Sequence, residues 1–140
     1  MPIETRDLNG GLGVFFAGHG VITEKEYLDV FTKHLKQDEN KLKKYRYSFS
    51  DWTAVSKVEI STRAVNLIAS LCISAAEVNP DIVLASVADQ DSMYGLTRMA
   101  QTLRDKTNWE NEVFRNRQDA EAWITARLKE KYRIDNPIFD

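Results

Sequence analysis

A chain of 140 residues with a net charge of −2 has no overall field that would recruit nucleic acid, and its 43% hydrophobic and 29% charged residues are ordinary for a single globular domain. Its one cysteine, Cys72, excludes an intrachain disulfide framework and suits a reducing compartment. Nowhere do about 18 apolar residues run together, and Met1 to Asp7 holds no apolar signal core, so the expectation is a cytoplasmic protein, bacterial in style, with no helical membrane span.

Ile3 to Leu8 reads as a short edge strand. Asn9-Gly10 is a two-residue hairpin signal, because both residues tolerate positive φ. Leu12 to Ile22 then reads as a long strand. The cluster Gly10-Gly11-Leu12-Gly13 leads into that strand rather than into a helix N-terminus, so it is a turn and not a phosphate loop. His19, between two glycines, reads as a strand histidine at a bulge. Thr23-Glu24-Lys25-Glu26 is a capping box for a first helix carrying Tyr27, Leu28, Phe31 and Leu35 at helical spacing. Lys36 to Lys44 is polar and reads as a solvated loop.

The stretch from Lys44 to Asn79 organises the chain. Tyr45, Tyr47 and Phe49 alternate with Arg46, Ser48 and Ser50, the period of a half-buried strand. Ser50-Asp51-Trp52-Thr53 reads as a turn. Ser56 and Glu59 fit a capping box, so a helix is predicted from near Lys57 until Pro80, about 22 residues and roughly 33 Å. One apolar stripe holds Ile60, Ala64, Leu67, Leu71, Ala75 and Val78, and a second holds Val65, Ile68, Cys72 and Ala76. Most of the circumference is therefore apolar, as for a central helix flanked by others or one presenting a face to a greasy ligand or a second copy in a homodimer.

Ile82 to Ala88 is a nearly unbroken apolar run, typical of a parallel strand buried on both faces. Asp91 or Ser92 can cap a third helix through Met93, Leu96, Met99, Ala100 and Leu103. Trp109 to Asn116 is a weaker strand. Asn116 or Asp119 can cap a fourth helix carrying Ala120, Trp123, Ile124, Ala126 and Leu128. The tail, 129–140, is charged and peripheral, with Pro137-Ile138-Phe139 either packed back or loose. No repeat or linker divides residues 1–140. The order predicts a single α/β domain, a mixed and mostly parallel sheet of about five strands with four helices.

This order resembles the STAS domain family, the fold of the bacterial anti-sigma factor antagonists, and more closely the SpoIIAA-like proteins. The matching features are Gly18-His19-Gly20-Val21-Ile22-Thr23 running into a capped helix with Tyr27, and the aromatic strand ending in Ser50-Asp51-Trp52. The long helix, the strand Ile82–Ala88 and the closing Asp119-Ala120-Glu121-Ala122-Trp123-Ile124 helix complete them. In the antagonists, a serine in an Asp-Ser-Ser/Thr-Gly motif opens the helix after the middle strand and is phosphorylated by a partner kinase. Ser61 and Thr62 match it in type, while Ile60 and Arg63 stand where the motif has Asp and Gly. The resemblance implies a non-catalytic module that binds a partner protein through Ser61, Thr62, Asp51 and Trp52 near the helix start. SpoIIAA-like proteins also resemble the lipid-carrying Sec14 class in fold. That implies the alternative of an apolar cleft at Leu67, Leu71, Met93 and Met99, between the long and third helices, for a lipophilic ligand or a membrane surface.

No enzyme signature accompanies these features. His19 and His34 lie in different elements, and a mid-helix Cys72 in apolar surroundings disfavours its thiolate. No His/Cys spacing suits zinc. Asp89, Asp91 and Asp51 could meet magnesium at the sheet's C-terminal edge, but capping and turn formation account for them. The expectation is no catalytic residue, no metal, no cofactor and no nucleic-acid partner.

Overall fold

The computed structural model of the chain describes residues 2–140. Five strands form one sheet in sequence order: β1 (Ile3–Leu8), β2 (Gly13–Thr23), β3 (Tyr47–Glu59), β4 (Val83–Val87) and β5 (Glu110–Phe114). The helices are α1 (Glu24–Leu35), α2 (Glu39–Lys44), α3 (Thr62–Val78), α4 (Asp91–Arg104) and α5 (Arg117–Tyr132). The sheet is mixed: β1 pairs antiparallel with β2, and the other three pairings are parallel. The β1–β2 turn is a short 3₁₀ segment, Asn9–Gly11, with φ of +50° at Asn9 and +65° at Gly10, which is why Asn-Gly stands there.

The strand order dictates the layers. Parallel crossovers are right-handed, so helices joining strands that are neighbours in both sequence and space all land on one face. Accordingly α1, α3 and α4 pack on one face against Val14, Phe16, Trp52 and Ile82. The other face is covered by α5 and the C-terminal tail, against Phe15, Tyr47, Phe49, Val83, Ala85 and Val87.

Two expectations around the central stretch are corrected. Ser50–Thr53 is not a turn, because β3 runs on to Glu59. The helix begins at Thr62, is 17 residues long, and is capped by Ser61 rather than Ser56. The reason is the neighbouring strand: Val55, Lys57, Val58 and Glu59 pair with Gly20, Val21, Ile22 and Thr23 of β2, and that ladder outcompetes the local capping signal. β4 stops pairing with β3 at Asp51, so β2 and β3 continue as a two-stranded ribbon past the sheet. The strand is also buried on both faces, since Ser48 and Ser50 are buried as well as Tyr47 and Phe49.

The third correction adds a fifth helix. Residues 36–44 are not all loop, because Asp38 Oδ1 accepts from the Asn40 N–H at 2.7 Å and starts α2, whose Leu42 is buried. Asn79, itself buried, donates from Nδ2 to the carbonyls of Leu42 and Tyr45 at 2.8 and 2.7 Å, tying α2 to the end of α3. Thr23 caps α1 and Asn116 caps α5, while α4 starts after Gln90 with no side-chain cap. His19 lies at a register shift between β2 and β3. The tail packs back: Phe139 is buried, its ring 4.9 Å from that of Phe49, and the Tyr47 hydroxyl donates to the Ile138 carbonyl at 2.7 Å.

Candidate functional site

On the face beneath α1, α3 and α4, the strands carry small side chains where a core usually carries large ones. Ser48 and Ser50 of β3 and Ser86 of β4 are only 8%, 7% and 5% exposed. Ser50 and Ser86 are register partners, so the small residues lie side by side across the sheet. Opposite them α3 presents Ile68, Cys72 and Ala75. Small residues on both sides leave a cavity of ≈ 90 Å³. Phe16, Phe31 and Trp52 come from β2, α1 and β3, Met93 and Leu96 from α4, and Trp109 joins them with its Nε1 donating to the Asn79 carbonyl at the end of α3 at 2.7 Å. At about 10–15 Å³ per water-sized sphere, the space takes roughly six to nine non-hydrogen atoms.

Trp52 reaches this wall because residue 18 is glycine. A Cβ at Gly18 would come within 2.5 Å of the Trp52 ring, so the ribbon can bend over the aromatic only without one.

Three groups at the wall, His34, Tyr27 and Cys72, are uncharged near neutrality. Burial pushes the His34 pKa down to about 4, with Asp7 opposing it and Lys41 adding to it. His34 Nδ1 lies 3.0 Å from Gln37 Nε2, and its ring stands edge-on to Phe16. Burial raises the Tyr27 hydroxyl, with the charge of Arg104 pulling the other way. Burial likewise raises the Cys72 thiol, again opposed by Arg104. A neutral imidazole, a phenol and a thiol, each far from its working pKa, give this space no acid, base or nucleophile poised for pH 7. Among the described residues, no group of three or more His, Cys, Asp or Glu side chains could hold a metal ion. Asp91 is paired with Arg115 at 2.8 Å instead. Among those residues, no helix is long and apolar enough to cross a membrane.

The residues singled out from the sequence are distributed over several places. Trp52 and Met93 line the cavity. Leu71 packs beside the core without lining the cavity, Met99 is half-buried away from it, and Leu67 is 48% exposed on the outer side of α3. Asp51 follows the alternation of β3 to the opposite face. There its Oδ2 pairs with Arg117 at 3.1 Å, and its Oδ1 accepts from the Thr53 N–H and hydroxyl at 3.0 and 2.7 Å. Arg117 also reaches Asp140 and the Phe139 carbonyl, so Asp51 helps to anchor the tail. Ser61 and Thr62 lie at the end of the ribbon. β3 continues for about 25 Å beyond Asp51 at about 3.3 Å per residue, so the helix start and Asp51 do not form one site.

At that end Ser61 is already engaged. Its Oγ accepts from the Ala64 N–H at 3.2 Å, and its own N–H donates to Glu24 Oε1 at 2.8 Å. The bond from Ser61 holds the Glu24 carboxyl below the usual carboxylate range. Thr62 is exposed. Sequence reasoning missed Ser48, Ser50, Ser86 and Arg104 as cavity residues. The available signal was a Ser-x-Ser pair and a lone Ser86 inside strands otherwise rich in aromatic and β-branched residues.

The chain matches no protein-family profile. No curated protein matches it in sequence. Among solved structures it is similar to an uncharacterized protein of the DUF3478 family with a SpoIIAA-like fold from Shewanella loihica PV-4, at 19% identity over 86% of this chain and 90% of that one, with a TM-score of 0.46.

Proposed function

We propose that the protein is a non-catalytic binding module that takes a small apolar molecule into the space between the sheet and helices α1, α3 and α4. The observation that carries this reading is the ≈ 90 Å³ cavity walled by aromatic and aliphatic side chains, where protein interiors are ordinarily close-packed. Left empty, such a space costs about 2 kcal/mol at roughly 24 cal/mol per Å³. A ligand that restores the missing contacts recovers that free energy as affinity. The neutral histidine, tyrosine and thiol at the wall support binding over bond-making. Solvent extraction and native mass spectrometry of protein purified from its own cells test it. Bound apolar material, or uptake of an added apolar compound at one equivalent, is expected; protein that carries none and takes up none would rule the reading out.

A second reading, a regulatory module that meets a partner protein at the start of α3, draws on one observation. The first turn of α3 holds no acidic residue and Thr62 is exposed there, so a phosphate on Thr62 would meet a favourable helix dipole. Ser61 is the poorer acceptor, because a phosphate there would remove the cap and crowd the Glu24 carboxylate. Intact-mass analysis across growth conditions tests this; finding no phosphorylated species in any of them would end it.

A further inference from the structure

The wall of the cavity carries one fixed charge. Arg104 is the last residue of α4, and among the described residues it is the one lysine or arginine that lines the space. Its Nε is buried and has no hydrogen-bond partner. None of the ion pairs among the described residues includes it. The charge is that of a planar guanidinium with a fixed fork of N–H donors. It shares the wall with Tyr27 of α1 and Cys72 of α3, and both its charge and a weak hydrogen bond from its side chain oppose the rise of the Cys72 thiol. Neither group is a strong acceptor while protonated, and an enclosed donor without a good acceptor costs free energy that the fold does not recover by itself.

We infer that the molecule this cavity takes is a compact apolar carboxylic acid, its hydrocarbon body against Ile68, Trp52 and Met93 and its carboxylate paired with Arg104. The inference rests on the cavity-binding reading above and adds the ligand's charge and size. A planar carboxylate matches the guanidinium fork, and the resulting charge-assisted bonds occupy the unpaired donor. One cation with neutral surroundings favours a single negative charge over a phosphate dianion. A volume for roughly six to nine non-hydrogen atoms favours a medium-chain or aryl acid over a long lipid.

The test is an amide NMR titration of the full chain near neutral pH with hexanoate, 1-hexanol and hexylamine, three unbranched ligands of six carbons each. Hexanoate is expected to bind about tenfold more tightly than hexanol, the worth of one charge-assisted pair, and hexylamine not to bind. The shifts should centre on Ile68, Cys72 and Met93. In Arg104→Gln, hexanoate should fall to the affinity of hexanol while hexanol keeps its own. Equal affinity of hexanoate and hexanol in the unaltered protein overturns the charge inference and leaves the cavity reading standing. Failure of all three ligands to bind overturns both. The comparison between ligands needs no variant, so it decides the matter even if Arg104→Gln does not fold.

Discussion

The two faces of the sheet are made from the same strands and packed by different rules. Under α5 and the tail, Tyr47, Phe49, Val83, Val87, Ile124 and Leu128 are completely enclosed, and Phe139 closes the remaining gap against Phe49. Under α1, α3 and α4, three helices cover a floor of serines and leave a hole. Adjacent residues of one strand, such as Ala85 and Ser86, therefore sit in a filled and an unfilled environment. The contrast teaches that the void is not general looseness. It comes from small side chains placed on one side of a strand pair, opposite small side chains of α3.

Paired substitutions across the sheet can break that comparison. Ile124→Ala on the filled face should cost about 4 kcal/mol, because the surroundings cannot collapse into the gap, whereas Cys72→Ala beside the existing hole should cost about 1 kcal/mol. Urea denaturation measures both, and equal losses would mean that the faces are packed alike. Next in size is a pH effect confined to the cavity side. The folded pKa of His34, about 4, lies below the ordinary 6.5, so between these values the unfolded chain takes up a proton that the folded one refuses. The His34 contribution should be level above about pH 6.5, fall as the pH drops toward 4 by on the order of 3 kcal/mol in total, and level off below. His34→Gln should flatten that window in a pH series of denaturation curves.

Ala85→Val and Ser86→Val sharpen the comparison within one strand. The first should destabilise by about 2 kcal/mol through overpacking, and the second should be neutral or stabilising because its methyl groups enter the cavity. The smallest effect concerns neither face. Ser61→Ala should cost about 1 kcal/mol by removing the cap of α3, read as a lowered thermal midpoint.

How far the sequence speaks follows the same division. The order of elements along the chain, the hairpin, the capped starts of α1 and α5 and the doubly buried β4 were legible, because each rests on a local pattern. The start of α3 was not. Ser56 and Glu59 form a good local cap, yet β2 supplies a ladder to the same residues, and only the fold reveals that competitor. The helix α2 was hidden by its charge, since a single buried Leu42 and the distant Asn79 hold it in place. Of the cavity residues, Met93 was expected in an apolar cleft, whereas Trp52 was expected at a partner-binding loop and lines the cavity instead. Asp51 was misplaced because a turn was expected where the strand continues, and the alternation then carries its side chain to the other face. Ser48 and Ser50 were read as facing water, since polar residues at period two usually do; helices on both faces enclose them instead.

The most direct measurement is methyl NMR of the isoleucine-labelled protein under xenon pressure, comparing Ile68, on the cavity wall, with Ile124, on the filled face. Xenon entering an apolar void should shift the Ile68 methyl signals in a saturable way and leave those of Ile124 in place. No movement at Ile68, or equal movement at both, would contradict a domain with one sealed face and one open to a ligand.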